Sequence, residues 1–201
     1  MPDYPIVEDQ TLAFDDLQPE HTYQNCTITY AHEAIKLSDL ILDHCTFQQE
    51  NFSAGEWLDC TIRHCRFLNA DFRNSQFYRC HFEADQLVGS DFGNSHLKQV
   101  TFHDAQADYC NFSEANLDDC HFETTRLQES VYQATTIKHA LNFDRCDLTG
   151  ADFSDTALKS VDFRTSIIED FRFTPRLVRG CRIDPLQAVP FALALGVTIE
   201  D

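Results

Sequence analysis

The chain is poor in the features that most protein classes require. Its 201 residues contain no run approaching the roughly 20 apolar side chains needed to span a bilayer, so no membrane segment is expected. Basic residues are scarce, at 15 Lys and Arg against 33 Asp and Glu. Phosphate contacts depend on Lys and Arg, so a net charge of −18 opposes direct nucleic-acid binding. There is no phosphate-cradling glycine loop, no nucleophile elbow and no His-Glu-x-x-His helix. No catalytic residue and no cofactor site is therefore assigned, and the chain is expected not to be an enzyme. Residues Met1 to Gln10 carry acidic side chains and prolines where a secretory leader needs a basic and then an apolar stretch, which leads us to expect a cytoplasmic protein.

What the chain does contain is a period of five. An apolar residue, large at every place but Ala107, recurs at every fifth place from Leu37 through Phe47, Trp57 and Phe67 to Ile137. After a shift of one residue within 138–142, the ladder resumes at Phe143 and runs to Ile183. Two places before these residues lie small ones, among them Cys45, Cys60, Ala70, Ser75, Cys110, Ala115 and Cys181. Five matches neither the helical period of 3.6 nor the strand period of 2. It describes a narrow interior lined by two sets of side chains, one large and one small. Asp85 breaks the rule by placing a carboxyl at a small inward position, and Phe171 and Arg176 break it near the C-terminus, where a distorted coil is expected.

The nine cysteines all fall in this register, two places before a ladder residue. Interior placement and an odd number favour reduced, buried thiols over a disulfide framework. Adjacent pairs such as His44-Cys45, His64-Cys65 and Cys120-His121 look like zinc ligands, but neighbours on an extended chain point to opposite faces, so no metal site is expected in this chain.

Three segments, Ala70-Asp71-Phe72-Arg73-Asn74, Ala115-Asn116-Leu117-Asp118-Asp119 and Ala151-Asp152-Phe153-Ser154-Asp155, carry the pattern Ala-(Asp/Asn)-(Leu/Phe)-X-X. The sequence thereby resembles the pentapeptide-repeat family. That resemblance implies an all-β fold, a right-handed quadrilateral parallel β-helix in which four pentads make one coil and residues 20 apart stack. One such column would read Phe52, Phe72, Phe92, Phe112 and Tyr132, and another includes Phe82, Phe102 and Phe122. These eight rings are the expected core. About 7.5 coils at ~4.8 Å per coil make a rod roughly 36 Å long. The expected β-helix covers 1–183, with an irregular first coil over 1–36, and a C-terminal helix and strand cap occupies 184–201.

The cap is announced by Asp184-Pro185, an N-cap followed by proline at the first helical place, and Gly196 is its expected stop. Pro190 should kink or divide the helix. Leu186, Val189, Phe191, Leu193, Leu195 and Val197 make the tail more apolar than a cap alone needs, so a homodimer joined end to end is expected, roughly 70 Å long plus caps.

Acidic residues are dense between Asp104 and Glu129 and again between Asp144 and Asp170. The expected partner-binding surface comprises Asp104, Asp108, Glu114, Asp118, Asp119, Glu123, Asp144, Asp152 and Asp155. A rod this negative should attract a basic surface and be steered to it. Within the family, acidic proteins of this length resemble the quinolone-resistance group of the Qnr and MfpA type. That implies imitation of duplex DNA, binding to DNA gyrase or topoisomerase IV, and relief of poisoning by inhibitors. The alternative is a scaffolding solenoid with an unrelated protein partner.

Overall fold

Nearly every fifth residue turns a corner in the left-handed region of backbone space. In the computed structural model, which describes residues 4–199, Asp59, His64, Asn69, Asn74 and Arg79 have φ of 54°, 54°, 53°, 61° and 52°. Asn, Asp and His tolerate this region better than other side chains, and they fill many of the corners. Gly89 serves one corner at φ 73°, where an added Cβ would stand 2.3 Å from Asn69 Oδ1.

Between corners the chain is extended, and each segment pairs in parallel with the equivalent segment one coil away. On one face Glu56–Leu58, Gln76–Tyr78 and His96–Lys98 form a ladder in which Phe77 faces Trp57 and Leu97. On the next, Thr61–Arg63, His81–Glu83 and Thr101–His103 pair with the same 20-residue step. Single bridges mark the other two faces, running Asn51, Asp71, Asp91, Asn111 on one and Arg66, Gln86, Gln106, Arg126 on the other. Four faces repeated over about eight turns make the right-handed quadrilateral parallel β-helix, closed by one short C-terminal helix. Among the described residues, no helix is long and apolar enough to cross a membrane.

Two places depart from the step of 20. At the N-terminal end Ile6 already pairs with Thr22, and Thr22 with Ile41, so the first coils are shorter than those that follow. Phe14, in a single 3-10 turn, plugs this end against Phe47, Phe52 and Trp57. Later, Asp118 pairs with Lys138 but Cys120 with Leu141, a β-bulge that absorbs one residue without breaking the ladder.

The interior is two interlocked stacks of rings. Phe52, Phe72, Phe92, Phe112, Tyr132 and Phe153 follow one another at centroid separations of 4.3 to 5.0 Å. Phe82, Phe102, Phe122, Phe143 and Phe163 form the second, at 4.6 to 5.5 Å. Rings of the two stacks meet edge to face, as Phe92 and Phe102 do at 86° and Phe112 and Phe122 at 83°. The stack spacing is that of the backbone ladder, so one register serves both backbone hydrogen bonds and ring packing.

The small inward position has its own chemistry. Where it is Cys, Ser or Thr rather than Ala, its side chain can donate to the carbonyl of a ladder residue on the preceding coil: Ser75 Oγ to Phe52 at 3.0 Å, Cys80 Sγ to Trp57 at 3.3 Å, Cys110 Sγ to Leu87 at 3.0 Å and Thr135 Oγ1 to Phe112 at 2.7 Å. Cys, Ser and Thr are interchangeable here because each is a small donor. Eight of the nine thiols are buried, and burial pushes Cys120 up to about 12 and Cys146 up to about 11, so both are unionised at neutral pH.

Asp85 occupies the same position, fully buried. Its carboxylate accepts from the backbone N–H of Cys65 at 2.7 Å and of Glu83 at 3.1 Å. Burial nevertheless pushes its carboxyl well above the ordinary range.

At the C-terminal end, Phe171 stays inside at 7% exposure, whereas Arg176 is expelled to the surface by a 3-10 turn at Pro175–Leu177. Asp184 caps a second 3-10 turn, Pro185–Gln187, through Leu186 N–H at 2.9 Å, and Gln187 Nε2 satisfies the Phe163 and Ser166 carbonyls at 2.9 and 2.7 Å. The α-helix Ala188–Ala194 follows. Pro190 lies in its first turn, where the missing N–H has no helical acceptor to lose, so the chain divides before it rather than kinking at it.

Two stability measurements test this interior. Tyr132 alone puts a hydroxyl into the ring stacks. That hydroxyl is buried and has no hydrogen-bond partner among the described residues. Tyr132→Phe should raise unfolding stability by about 1 kcal/mol in chemical denaturation. For Asp85, a folded-state pKa above the unfolded value means that stability is highest below the ordinary carboxylate range and declines as pH rises through the folded pKa. Asp85→Ser should therefore be the more stable protein at pH 7, on the order of 1–3 kcal/mol, with the gap closing towards pH 4.

Candidate interaction surface

The nine acidic residues that lie close in sequence do not lie on one face. The 20-residue step distributes them around the rod. Asp104, Glu123 and Asp144 belong to the face of Thr101–His103, and Asp118 and Asp119 to that of His96–Lys98. Glu114, Asp152 and Asp155 flank the Asp91–Asn111–Val131–Asp152 bridges, and Asp108 flanks the Gln106–Arg126 bridge. They form a belt around the later coils.

Most of the belt is partly neutralised. Glu123 and Asp144 share Arg145 at 2.6 and 2.9 Å, Asp152 meets Arg172 at 3.3 Å, and Asp118 is held by His139 and, at 3.9 Å, by Lys98. Asp104 and Asp119 each approach a histidine, His103 and His121, at 3.5 Å. Burial pushes the Asp152 carboxyl up, but hydrogen bonds from Ser154 and the Arg172 charge outweigh this and leave it below the usual range. Exposed pairs of this kind contribute little stability, about 0–1 kcal/mol each, and what they change is the local field. Glu114 and Asp155 are exposed and have no ion-pair partner among the described residues.

Asp108 does not belong to the surface. It is 4% exposed, paired with Arg126, and accepts the Gln128 N–H at 3.0 Å. The expectation that it contacts a partner is corrected: the carboxylate is covered, held against Arg126 and the backbone N–H of Gln128.

A second acidic region lies at the other end, where acidic residues are less crowded in sequence. Between residues 1 and 50 the chain has ten acidic side chains and a single basic one, Lys36. Those in the described residues, including Glu8, Asp9, Asp15, Asp16 and Glu20, decorate the short first coils. A count of basic residues, rather than of acidic ones, is the signal that finds this region.

Of the tail residues expected to pair two rods, Leu186, Val189, Leu193, Leu195 and Val197 are exposed at 90%, 48%, 55%, 62% and 52%. Phe191 is not among them. It stacks on Phe173 at 4.6 Å and lies near Phe171, so it closes its own last coil.

A four-faced parallel solenoid of five-residue steps is a defined class of fold, and comparison with known proteins agrees with it. A family model described as a pentapeptide repeat region matches residues 76–141, and one described as pentapeptide repeats (8 copies) matches residues 141–164. Together the two models match residues 76–164, and both describe pentapeptide repeats. Among solved structures, it is similar to trypsin-treated QnrB1, a plasmid-mediated fluoroquinolone resistance protein, with 21% identity, 98% of each chain covered and a TM-score of 0.51. It is also similar to HetL, a pentapeptide-repeat protein involved in heterocyst differentiation regulation from the cyanobacterium Nostoc, with 11% identity, 90% of this chain and 87% of that one covered, and a TM-score of 0.41. No curated protein sequence matches the chain.

The burial of Asp108 has a measurable consequence. Asp108→Ala should lower unfolding stability by about 1.5–3 kcal/mol, because it strips charge-assisted bonds from Arg126 and the Gln128 N–H, whereas Glu114→Ala should leave denaturation within about 0.5 kcal/mol of the parent.

Proposed function

We propose that this protein is a non-catalytic, acidic mimic of duplex DNA that binds DNA gyrase or topoisomerase IV in the cytoplasm and modulates or protects it against quinolone-type inhibitors. One observation carries the reading: the interior is almost wholly apolar or hydrogen-bonded, so the net charge of −18 resides almost entirely on the surface of a straight rod. Eight coils at ~4.8 Å make roughly 38 Å, or about one net negative charge per 2 Å of axis, close to the ~1.7 Å of B-DNA. A basic saddle shaped for DNA would find both the charge density and the rod form complementary. Pairing of two copies through Leu186, Val189, Leu193, Leu195 and Val197 would lengthen the rod and place the acidic first coils at its two far ends.

A second reading, a scaffolding solenoid with another protein partner, draws on the ion pairs that Arg126, Arg145 and Arg172 make across the belt. They soften the field where a DNA mimic would keep it bare.

A gyrase supercoiling assay separates the two. With purified protein titrated into the micromolar range, with and without ciprofloxacin, the mimic should inhibit supercoiling or rescue it from the drug, with an effect that weakens steeply as salt rises. Glu114→Lys with Asp155→Lys should weaken that effect at least several-fold while folding is retained, since neither residue has an ion-pair partner to lose. No response in either arm would discard the topoisomerase reading in favour of the scaffold.

A further inference from the structure

The face built from Ile41–Asp43 and Thr61–Arg63 carries a cluster at its N-terminal end that an acidic binding surface does not use. Asp43 ends the first of these strands and His44 turns the corner after it; one coil on, Arg63 and His64 hold the same two places. Because corner residues 20 apart stand one above the other, the two imidazoles stack, with centroids 4.3 Å apart and planes 20° from parallel. Their Nδ1 atoms converge on one oxygen. His44 Nδ1 lies 2.7 Å and His64 Nδ1 3.1 Å from Asp43 Oδ1, while Asp43 Oδ2 accepts from Arg63 Nη2 at 2.9 Å. Asp43 is 6% exposed, and both histidines are open to solvent. Burial pushes the Asp43 carboxyl up, but the hydrogen bonds from His64, Arg63 and His44 outweigh it and hold the group below the usual range, as an anion.

We propose that His44, His64 and Asp43 form a binding site for a divalent transition-metal ion of the zinc class, held by the two Nδ1 atoms and Oδ1. The three donor atoms lie within 4.8 Å of one another. An ion at ~2.0–2.1 Å from each, in tetrahedral geometry, sets donor separations of about 3.4 Å, so the His44–Asp43 pair, now at 2.7 Å, opens by about 0.7 Å and the His64–Asp43 pair, at 3.1 Å, by about 0.3 Å. In neutral imidazole the proton moves from Nδ1 to Nε2 to free the Nδ1 lone pair. Two imidazoles and one carboxylate suit Zn²⁺, Co²⁺, Ni²⁺ or Cu²⁺ rather than Mg²⁺ or Ca²⁺, which favour oxygen alone. Arg63, bonded to Oδ2, fixes the carboxylate plane and leaves Oδ1 for the ion, the part that outer hydrogen bonds play around ligating carboxylates.

The neighbouring thiols stand apart from this donor set. Cys45 Sγ lies 3.3 Å from the Tyr23 carbonyl and Cys65 Sγ 3.3 Å from the Arg63 carbonyl, both turned to the interior. The adjacent His-Cys pairs are thus not ligand pairs, as strand geometry predicts, and the ligand set is His, His and Asp drawn from two coils. Its signal in the sequence is the 20-residue interval between His44 and His64. With three protein donors, a fourth position remains for water or for a side chain of a protein docked on this face.

The test uses the full chain, stripped with EDTA and titrated with Co²⁺ while visible absorption is followed. One equivalent should bind, with a ligand-field spectrum of nitrogen and oxygen donors, no thiolate charge-transfer band, and stoichiometric displacement by Zn²⁺. His44→Asn and His64→Asn should each weaken binding at least tenfold with the fold intact, since Asn already occupies equivalent corners at Asn69, Asn74 and Asn94. Absence of saturable binding, a thiolate band, or affinity unchanged in the double variant would overturn the site.

Discussion

The left-handed corner is the constraint on which everything else in this protein depends. A square coil closes only if the chain changes direction every five residues, and that turn places one residue per pentad at positive φ. For a side chain other than glycine this costs roughly 1–2 kcal/mol. The same pentad buries one large apolar residue, worth about 1.5–3 kcal/mol, and where that residue is aromatic it gains about 0.5–1.5 kcal/mol more from its ring partners. The interior therefore outweighs the corner, but only while the ladder is unbroken. Corner N–H groups also depend on the neighbouring coil, as Asp59 does on the Tyr78 carbonyl at 2.9 Å and Gln99 on that of Asp118 at 2.8 Å. No coil can satisfy its own backbone, so the coils stand or fall together.

Once the corners are set, the inward positions divide by size and by hydrogen bonding. The ring stacks take the space, and the small position, where it is Cys, Ser or Thr, supplies a donor to a carbonyl that would otherwise face the rings. This is why cysteine is so frequent in a chain that has no evident use for thiol chemistry. Ser75, Cys80 and Thr135 perform one task with three side chains. Asp85 meets the opposite half of the requirement, accepting from two N–H groups where its neighbours donate.

The period of five and the 20-residue columns make the fold and the ring core legible in the amino-acid sequence, down to the order of Phe52, Phe72, Phe92, Phe112 and Tyr132. What the pattern does not convey is anything set outside the repeat. Phe14 plugs the first coils from a 3-10 turn that no pentad marks, and those coils are shorter than the rest, so their register has no period to follow. Asp108 reads as one more outward carboxylate, yet it is covered, held by Arg126 and by the backbone N–H of Gln128. Phe191 reads like its exposed neighbours, and only the end of the last coil, where Phe171 and Phe173 offer ring faces, draws it in.

In a solenoid, distance along the chain and distance in space are related by a modulus. Residues four or five apart point in different directions, and residues 20 apart touch. A stretch crowded with acidic residues thus becomes a belt around the rod rather than a patch, its field shared among four faces. A binding surface arises instead when a column repeats one kind of side chain, or when two columns at a corner bring complementary groups together. Asp43, His44 and His64 satisfy the second condition, although only two of them are neighbours in sequence. The charge of the first coils arises differently again, from the near absence of basic residues. A partner that reads such a rod through charge alone is insensitive to its rotation, whereas one that reads the histidine corner must approach from a single side.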